Sequence, residues 1–294
     1  MIIPDNFGGL KPEFCDLAKA KFVVLPAPYD GTTTFLKGTA RGPRAVITAS
    51  QQVELWDEEL EQETQALAGI ATLPTPMIQT LRPEDAAQVL EDAARPHVEA
   101  GKCLVTIGGE HSVTLGPARA VAARYKKLSV LHIDAHGDLR AEYDGTPYGH
   151  GCIMRRLLDD LGLPIVQAGI RSLSPEEAQL VREGRVKTFY RHKHRDFEAA
   201  AKAVVDSLMT EDVYVSIDVD ALDPSLVAGT GTPEPGGLSW WELLALCRTV
   251  ASARRVVAFD VVETIPLEGQ AVAEFVSARL IYRFMGYIQR AGMR

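Results

Sequence analysis

Short apolar, β-rich runs alternate with stretches of helical periodicity along almost the whole chain, and this alternation constrains the fold more than any other feature. Strands are predicted over residues 21–26, 69–73, 103–107, 128–134, 165–170, 186–190, 213–218 and 255–262. A helix starts at Gly42-Pro43, where proline fits the first turn. Further helices are predicted over 83–100, 113–123, 152–161, 175–181, 197–209 and 240–251. A last one, from 271 to about 289, places Val272, Phe275, Val276, Leu280, Phe284 and Ile288 at helical spacing and is expected to close the core. Eight strands with helices between them is the pattern of a parallel α/β sheet. No Ser/Gly linker, composition shift or repeat marks a border, so one domain over residues 1–294 is expected. Two acidic or proline-rich stretches, 54–63 and 73–85, interrupt the rhythm, and the first reads as a solvated helix face.

Composition narrows the function classes. The balance of 31 Lys plus Arg against 39 Asp plus Glu gives a net charge of −8, a poor electrostatic match to nucleic acid. No uncharged apolar stretch approaches the ~20 residues of a bilayer span. The start, Met1-Ile2-Ile3-Pro4-Asp5, lacks the pattern of a secretory signal. Cys15, Cys103, Cys152 and Cys247 lie far apart, as reduced core thiols do. A cytoplasmic protein meeting small or cationic ligands, without nucleic-acid or membrane partners, is expected.

The unusual polar clusters all follow predicted strands, where functional groups collect in parallel sheets. Ile107-Gly108-Gly109-Glu110-His111-Ser112 has paired glycines for a tight turn but neither the spacing nor the lysine of a phosphate loop. Alone, His111 reads as a hydrogen-bonded structural histidine as readily as a ligand. The next cluster shifts that balance: in Asp134-Ala135-His136-Gly137-Asp138 the polar residues at i, i+2 and i+4 share one face of an extended segment. Left bare in a core they would repel or stay unsatisfied, and a divalent cation resolves the conflict. A third strand ends in Ser216-Ile217-Asp218-Val219-Asp220-Ala221-Leu222-Asp223-Pro224. Asp218 and Asp220 alone would share a proton as an acid/base dyad; beside an Asp/His cluster they fit metal ions better. Two His and four Asp on three strand ends suit a pair of ions ~3.5–4 Å apart with a bridging water. Thiolate-free, oxygen-rich ligation with imidazoles favours manganese.

At these residues the sequence resembles the ureohydrolase (arginase–agmatinase) family. The match runs from Pro28-Tyr29-Asp30-Gly31-Thr32 and Gly38-Thr39-Ala40-Arg41-Gly42-Pro43 through the three clusters to Phe259-Asp260-Val261-Val262-Glu263-Thr264. The resemblance implies a three-layer α/β/α fold with an eight-stranded parallel sheet and a metal-dependent amidine hydrolase with two Mn2+ per chain. It implies one manganese held by His111, Asp134, Asp138 and Asp218, and the other by Asp134, His136, Asp218 and Asp220, with Asp134 and Asp218 bridging. His150, in Tyr148-Gly149-His150-Gly151, falls where the family keeps a proton-shuttling histidine, and Glu263 where it keeps the carboxylate that grips the guanidinium. The glycine- and proline-rich loop 229–237 matches its active-site loop, with Thr232 within reach of the guanidinium or of Glu263. A homo-oligomer, trimer or hexamer, is implied as well.

Substrate choice is less marked. Arginases carry an Asn two residues after the last ligand of the DxHxD segment, and here Arg140 stands there. The following Ala141-Glu142-Tyr143-Asp144 is acidic and suits an ammonium tail. Both departures resemble agmatinases, so cleavage of agmatine to putrescine and urea is the first expectation. N1-aminopropylagmatine is the alternative, and guanidinobutyrate or arginine rank lower. A single-zinc deacetylase would need fewer ligands, and a non-catalytic metal-binding protein would have no use for both His150 and Glu263.

Overall fold

In a computed structural model that describes residues 5–194 and 196–292, the eight predicted strands form one parallel sheet. They are β1 (Phe22–Ala27), β2 (Ile70–Thr72), β3 (Cys103–Gly108), β4 (Leu128–Ile133), β5 (Ile165–Ile170), β6 (Lys187–Tyr190), β7 (Asp212–Asp218) and β8 (Arg255–Val262). Their spatial order is β2-β1-β3-β8-β7-β4-β5-β6. The longer helices are α1 (Gly42–Ser50), α2 (Pro83–Glu99), α3 (Leu115–Arg124), α4 (Ile153–Asp159), α5 (Pro175–Arg182), α6 (Phe197–Asp206), α7 (Trp240–Ala253) and α8 (Val272–Arg290).

Strand periodicity splits the core into two layers. Val105, Ile107, Leu131, Ile133, Val213, Val215 and Ile217 pack with α1, α6, α7 and α8. Leu104, Leu128, Val130, Tyr214 and Ala258 face the other way, onto α2, α3, α4 and α5. A sheet covered on both faces explains why its strands read as continuous apolar runs. The helices start where their caps dictate: Ser174 with Glu177 opens α5, and Ser239 with Glu242 opens α7, each as a capping box. Among the described residues no helix is long and apolar enough to cross a membrane.

Two expectations are corrected. The acidic run 54–63 is no solvated helix face. It forms a small antiparallel hairpin (Trp56–Asp57 with Gln62–Glu63) whose carboxylates clamp α8. Buried Arg283 lies 3.1 Å from Asp57 Oδ2 and 2.6 Å from Glu58 Oε1, and Tyr287 donates to Glu59 Oε2 at 2.7 Å. In α8, Leu280, Phe284 and Ile288 are core residues as expected, but Val272 and Phe275 are exposed. Within the first turn Ala273 is buried while Val272 and Phe275 face outward, and full burial of the core face starts at Ser277.

Because Arg283 and Asp57 are both buried, deleting one strands the charge of the other. Arg283→Met should therefore destabilise the fold by about 3–5 kcal/mol. Arg283→Met with Asp57→Leu should recover part of that loss. Urea denaturation of the two variants and the unaltered chain checks this.

Candidate active site

The sheet order brings the polar clusters together. β3, β8, β7 and β4 are consecutive neighbours, and residues 109–112, 263, 218–220 and 134–138 follow their carboxyl ends. The chain leaves β3, crosses to β4, runs outward through β5 and β6, and returns with β7 and β8 to fill the gap. The crevice lies at that reversal of strand order, where α/β sheets bind ligands.

Local geometry is tight. A Cβ on Gly109 would stand 2.0 Å from the Tyr29 carbonyl oxygen, so only glycine fits there. The Glu263 N–H donates to the Gly109 carbonyl at 2.7 Å, and Glu263 Oε1 accepts from the His111 N–H at 2.7 Å. These two bonds staple β8 to the turn after β3. Asp138 and Glu263 adopt left-handed backbone, with φ of 52° and 65°. Such conformations cost non-glycine residues of order 1–3 kcal/mol and persist where the surroundings impose them.

The six residues singled out in the sequence converge. His111 Nδ1 stands 3.0 Å from Asp138 Oδ2, 3.2 Å from Asp134 Oδ2 and 3.6 Å from Asp218 Oδ2. His136 Nδ1 lies 2.9 Å from Asp220 Oδ2 and 3.6 Å from Asp134 Oδ1. Two sets of ligand-type atoms, each within 4.8 Å, result: His111, His132, Asp134 and Asp138, and Asp134, His136 and Asp220. Asp134 belongs to both. Ser216 accepts from His111 Nε2 at 2.8 Å and donates to Asp260 Oδ1 at 2.7 Å.

Electrostatics show how the cluster carries its charge. Burial, then Asp220 and Asp134, push the Asp218 carboxyl well above its usual range. Burial, then Asp134, raise Asp220, and burial with Glu110 beside it raises Glu263. Burial works against ionised Asp134, yet the rings of His132, His111 and His136 outweigh it and hold that carboxyl low. Burial likewise opposes protonated His111 and His136, but their carboxylate neighbours prevail and raise both. His111 Nδ1 is buried without a well-formed hydrogen bond. A buried donor set of carboxylates and imidazoles, one nitrogen orphaned, fits divalent cations, which would neutralise the charge that protons otherwise must.

Beside the cluster opens a cleft of about 250 Å³. His136, Asp138, Asp218, His150, Thr232 and Glu263 all line it, so the sequence-predicted shuttle and guanidinium residues reach the same volume as the acidic cluster. His150 Nδ1 lies 3.3 Å from Thr32 Oγ1, whose hydroxyl donates to buried Glu110 at 2.5 Å. Arg140 and Tyr143 line the rim, the guanidinium 4.4 Å from the Tyr143 ring centre, whereas Glu142 and Asp144 are exposed and outside the lining.

Several supporting residues escaped the sequence reading. Arg171 donates to the carbonyls of Asp220 and Glu234, both at 2.7 Å, tying the 218–223 turn to the 229–237 loop. His132 and Gln167 are buried polar residues inside apolar strands, and Glu110 holds the turn at Thr32. A lone polar residue within a buried strand is the signal that marks the strand members of this set.

The arginase-family model matches residues 20–286. The chain is 40% identical to the N(1)-aminopropylagmatine ureohydrolase of Synechocystis sp., over 92% of this chain and 90% of that protein. It is 30% identical to the agmatinase of Pyrococcus horikoshii, over 94% of each. The crystal structure of the agmatine ureohydrolase of Thermoplasma volcanium superimposes with a TM-score of 0.88 at 28% identity, covering 99% of this chain and 96% of that one. A metal-dependent amidine hydrolase is the class that fold, cluster and likenesses define. The chain belongs to the arginase family, as a ureohydrolase of agmatinase type.

The raised groups set a pH dependence. Asp218, Asp220, Glu263, His111 and His136 all bind protons more tightly folded than unfolded, so they stabilise the metal-free fold at low pH. That contribution falls as pH rises past the unfolded values, about 4 for carboxyls and about 6.5 for imidazoles. Asp134, held low, acts oppositely, but only below about pH 4. Metal-free protein should therefore melt at lower temperature at pH 8 than at pH 5.5, and Mn2+ should raise Tm more at pH 8. Calorimetry on chelator-treated and reloaded protein checks both signs.

Proposed function

We propose that the chain hydrolyses the guanidinium group of N1-aminopropylagmatine, releasing urea and the corresponding triamine. The observation that carries this reading is the likeness of 40% to an aminopropylagmatine ureohydrolase, against 30% to an agmatinase, along nearly the same length. Agmatine, cleaved to putrescine and urea, is the second reading. It is favoured by the agmatine ureohydrolase fold match. Beyond the residues proposed to hold metal, Glu177 and Glu263 line the cleft against Arg140, a net negative balance that suits ammonium tails of either substrate.

In this reading two Mn2+ are the cofactor. His111, Asp134, Asp138 and Asp218 would hold one ion, Asp134, His136, Asp218 and Asp220 the other. When bound, such ions lower the pKa of water so that hydroxide is available near neutral pH. The chain's residues do the rest. Glu263 keeps Oε1 on the His111 amide and offers Oε2 to the guanidinium N–H groups, with Thr232 beside it. The cationic substrate supplies the partner that favours ionised Glu263. The leaving amine gains its proton from His150. Thr32, whose hydroxyl hydrogen is committed to Glu110, accepts from the His150 ring and leaves Nε2 for that transfer. A homo-oligomer, trimer or hexamer, and a cytoplasmic location complete the reading; light scattering tests the first.

A carboxylate tail would meet like charge in this cleft, at a cost of ~1–3 kcal/mol, about 10- to 100-fold in kcat/KM. A urea-release panel at equal Mn2+ should rank N1-aminopropylagmatine at least about tenfold above agmatine, with arginine and 4-guanidinobutyrate lower still. Preference for agmatine would move the assignment to the second reading, and preference for arginine would overturn both. His150→Asn should lower kcat by ~10²–10⁴ with metal content unchanged. Near-normal turnover would remove His150 from the proton transfer.

A further inference from the structure

One residue layer beneath the cluster, a polar row crosses the sheet. Asp260 pairs in register with Ser216, Ser216 with His132, His132 with Gln167, and Gln167 with Thr188. Four of these are fully buried, in strands that are otherwise apolar. Such groups are retained in a core only when hydrogen-bonded. On the β4–β6 side the bonds form one chain. Thr188 Oγ1 donates to Gln167 Oε1 at 2.9 Å, and Gln167 Nε2 lies 2.7 Å from the Gly137 carbonyl oxygen and 3.1 Å from His132 Nδ1. His132 Nε2 is 2.7 Å from Asp134 Oδ2.

The order of donors along this chain is forced. A carbonyl only accepts, so the Gly137 oxygen requires the NH2 end of the Gln167 amide to face it. The second hydrogen of that NH2 points to His132 Nδ1, which must then accept. The ring hydrogen therefore sits on Nε2 and is donated to Asp134 Oδ2. An Nε2 that carries hydrogen has no lone pair for a metal ion. His132 belongs by distance to the ligand-type set with His111, Asp134 and Asp138, but by tautomer it falls outside it. Asp134 Oδ1 meanwhile accepts from the His136 N–H at 2.6 Å. Each carboxylate oxygen is thus held by one donor, Oδ2 by the His132 ring from below and Oδ1 by the His136 backbone, and keeps lone-pair capacity for the cluster.

We propose that Gln167 locks His132 as an Nε2–H donor, which makes His132 the positioning residue of the Asp134 carboxylate and not a metal ligand. The same Gln167 amide grips the loop carbonyl at Gly137, between His136 and Asp138, so one side chain sets both the shared carboxylate and the loop that follows it. The inference rests on the metal-site reading above but not on the choice of substrate, and its readouts need no turnover.

Two measurements test it. Long-range 1H–15N NMR of the histidine rings, with His132 assigned by its loss in His132→Gln, should show the Nε2–H tautomer in metal-free protein. That pattern should persist when Zn2+ is added as a diamagnetic probe, while His111 and His136 signals move. An Nδ1–H pattern, or a His132 Nε2 that shifts as a ligand nitrogen does, overturns the proposal. In the second measurement, free Mn2+ is followed by electron paramagnetic resonance. Gln167→Leu and His132→Leu should weaken binding about 10- to 100-fold, whereas His132→Gln, which retains an N–H at the end of its side chain, should stay within about threefold. Unchanged affinity in both leucine variants, or a glutamine variant as weak as leucine, also overturns it. Should the leucine variants fail to fold, the NMR result on the unaltered chain decides. No Mn2+ or Zn2+ binding by the unaltered chain would sink the metal reading itself, a failure that the metal-free tautomer distinguishes.

Discussion

Four carboxylates from two strand ends share one buried volume, and the rest of the site is arranged around the repulsion this creates. Asp134, Asp138, Asp218 and Asp220 are at most 7% exposed, and their oxygens crowd two imidazoles. In so dry a place like charges cannot all stay ionised, and the directions of their pKa values record the compromise: Asp134 ionised among rings, Asp218 and Asp220 pushed toward the protonated form. A cluster held in this state spends folding free energy, which the sheet must supply elsewhere. It does so through two continuous apolar layers, one on each face, joined by strands that bury every side chain over most of their length.

Topology decides which residues can join the cluster. β7 and β8 enter last and occupy the gap between β3 and β4, so His111 and Asp134 stand on strands that are not neighbours. The cluster is complete only once β7 brings Asp218 and Asp220, and β8 brings Glu263, into that gap. The staple between Glu263 and the Gly109–His111 backbone and the Arg171 bonds to the 218–223 turn then fix strand ends that would otherwise fray. Left-handed backbone at Asp138 and Glu263 is tolerated because such bonds surround it.

Most of the fold was legible in the sequence because burial on both faces turns each strand into an apolar run with clear ends. The strand at 165–170 and that at 255–262 have the predicted bounds, and the others differ by a residue or so. The acidic run 54–63 was misread because its meaning lies in Arg279, Arg283 and Tyr287, more than 200 positions away. Local charge patterning holds no trace of such a partner. The convergence of His111, Asp134, His136, Asp138, Asp218 and Asp220 was legible from alternation at strand ends, and their distances agree with it. Left-handed φ at an aspartate and a glutamate was not, since nothing in those residue types requires it. His132 and Gln167 left a readable mark, a polar residue amid Val, Leu and Ile, but a mark that states burial without stating a partner.

Floor and rim of the site obey different physics, and this explains why reaction class is plainer than substrate. The floor is built from the short segments that leave the strand ends, and the sheet fixes where each of them starts, so a motif in sequence lies close to a constellation in space. The rim is built from loops, where charge in sequence does not give direction. The acidic residues Glu142 and Asp144 face solvent, while Arg140, the basic member of the same segment, lines the cleft with its guanidinium over Tyr143. Outside the proposed metal ligands, the acidic residues that line the cleft are Glu177 and Glu263, which belong to the floor and its supports. Glu177 is itself occupied, taking the N–H groups of Leu139 and Ser174 at 2.9 and 2.7 Å. In the proposed reading a preference for a cationic tail would come from these two carboxylates, with neither Glu142 nor Asp144 in the lining, and it would favour one ammonium or two alike. In the same reading, discrimination between tails of different length would fall to the shape of the rim, where Phe35, Leu36 and Tyr143 bound the cleft.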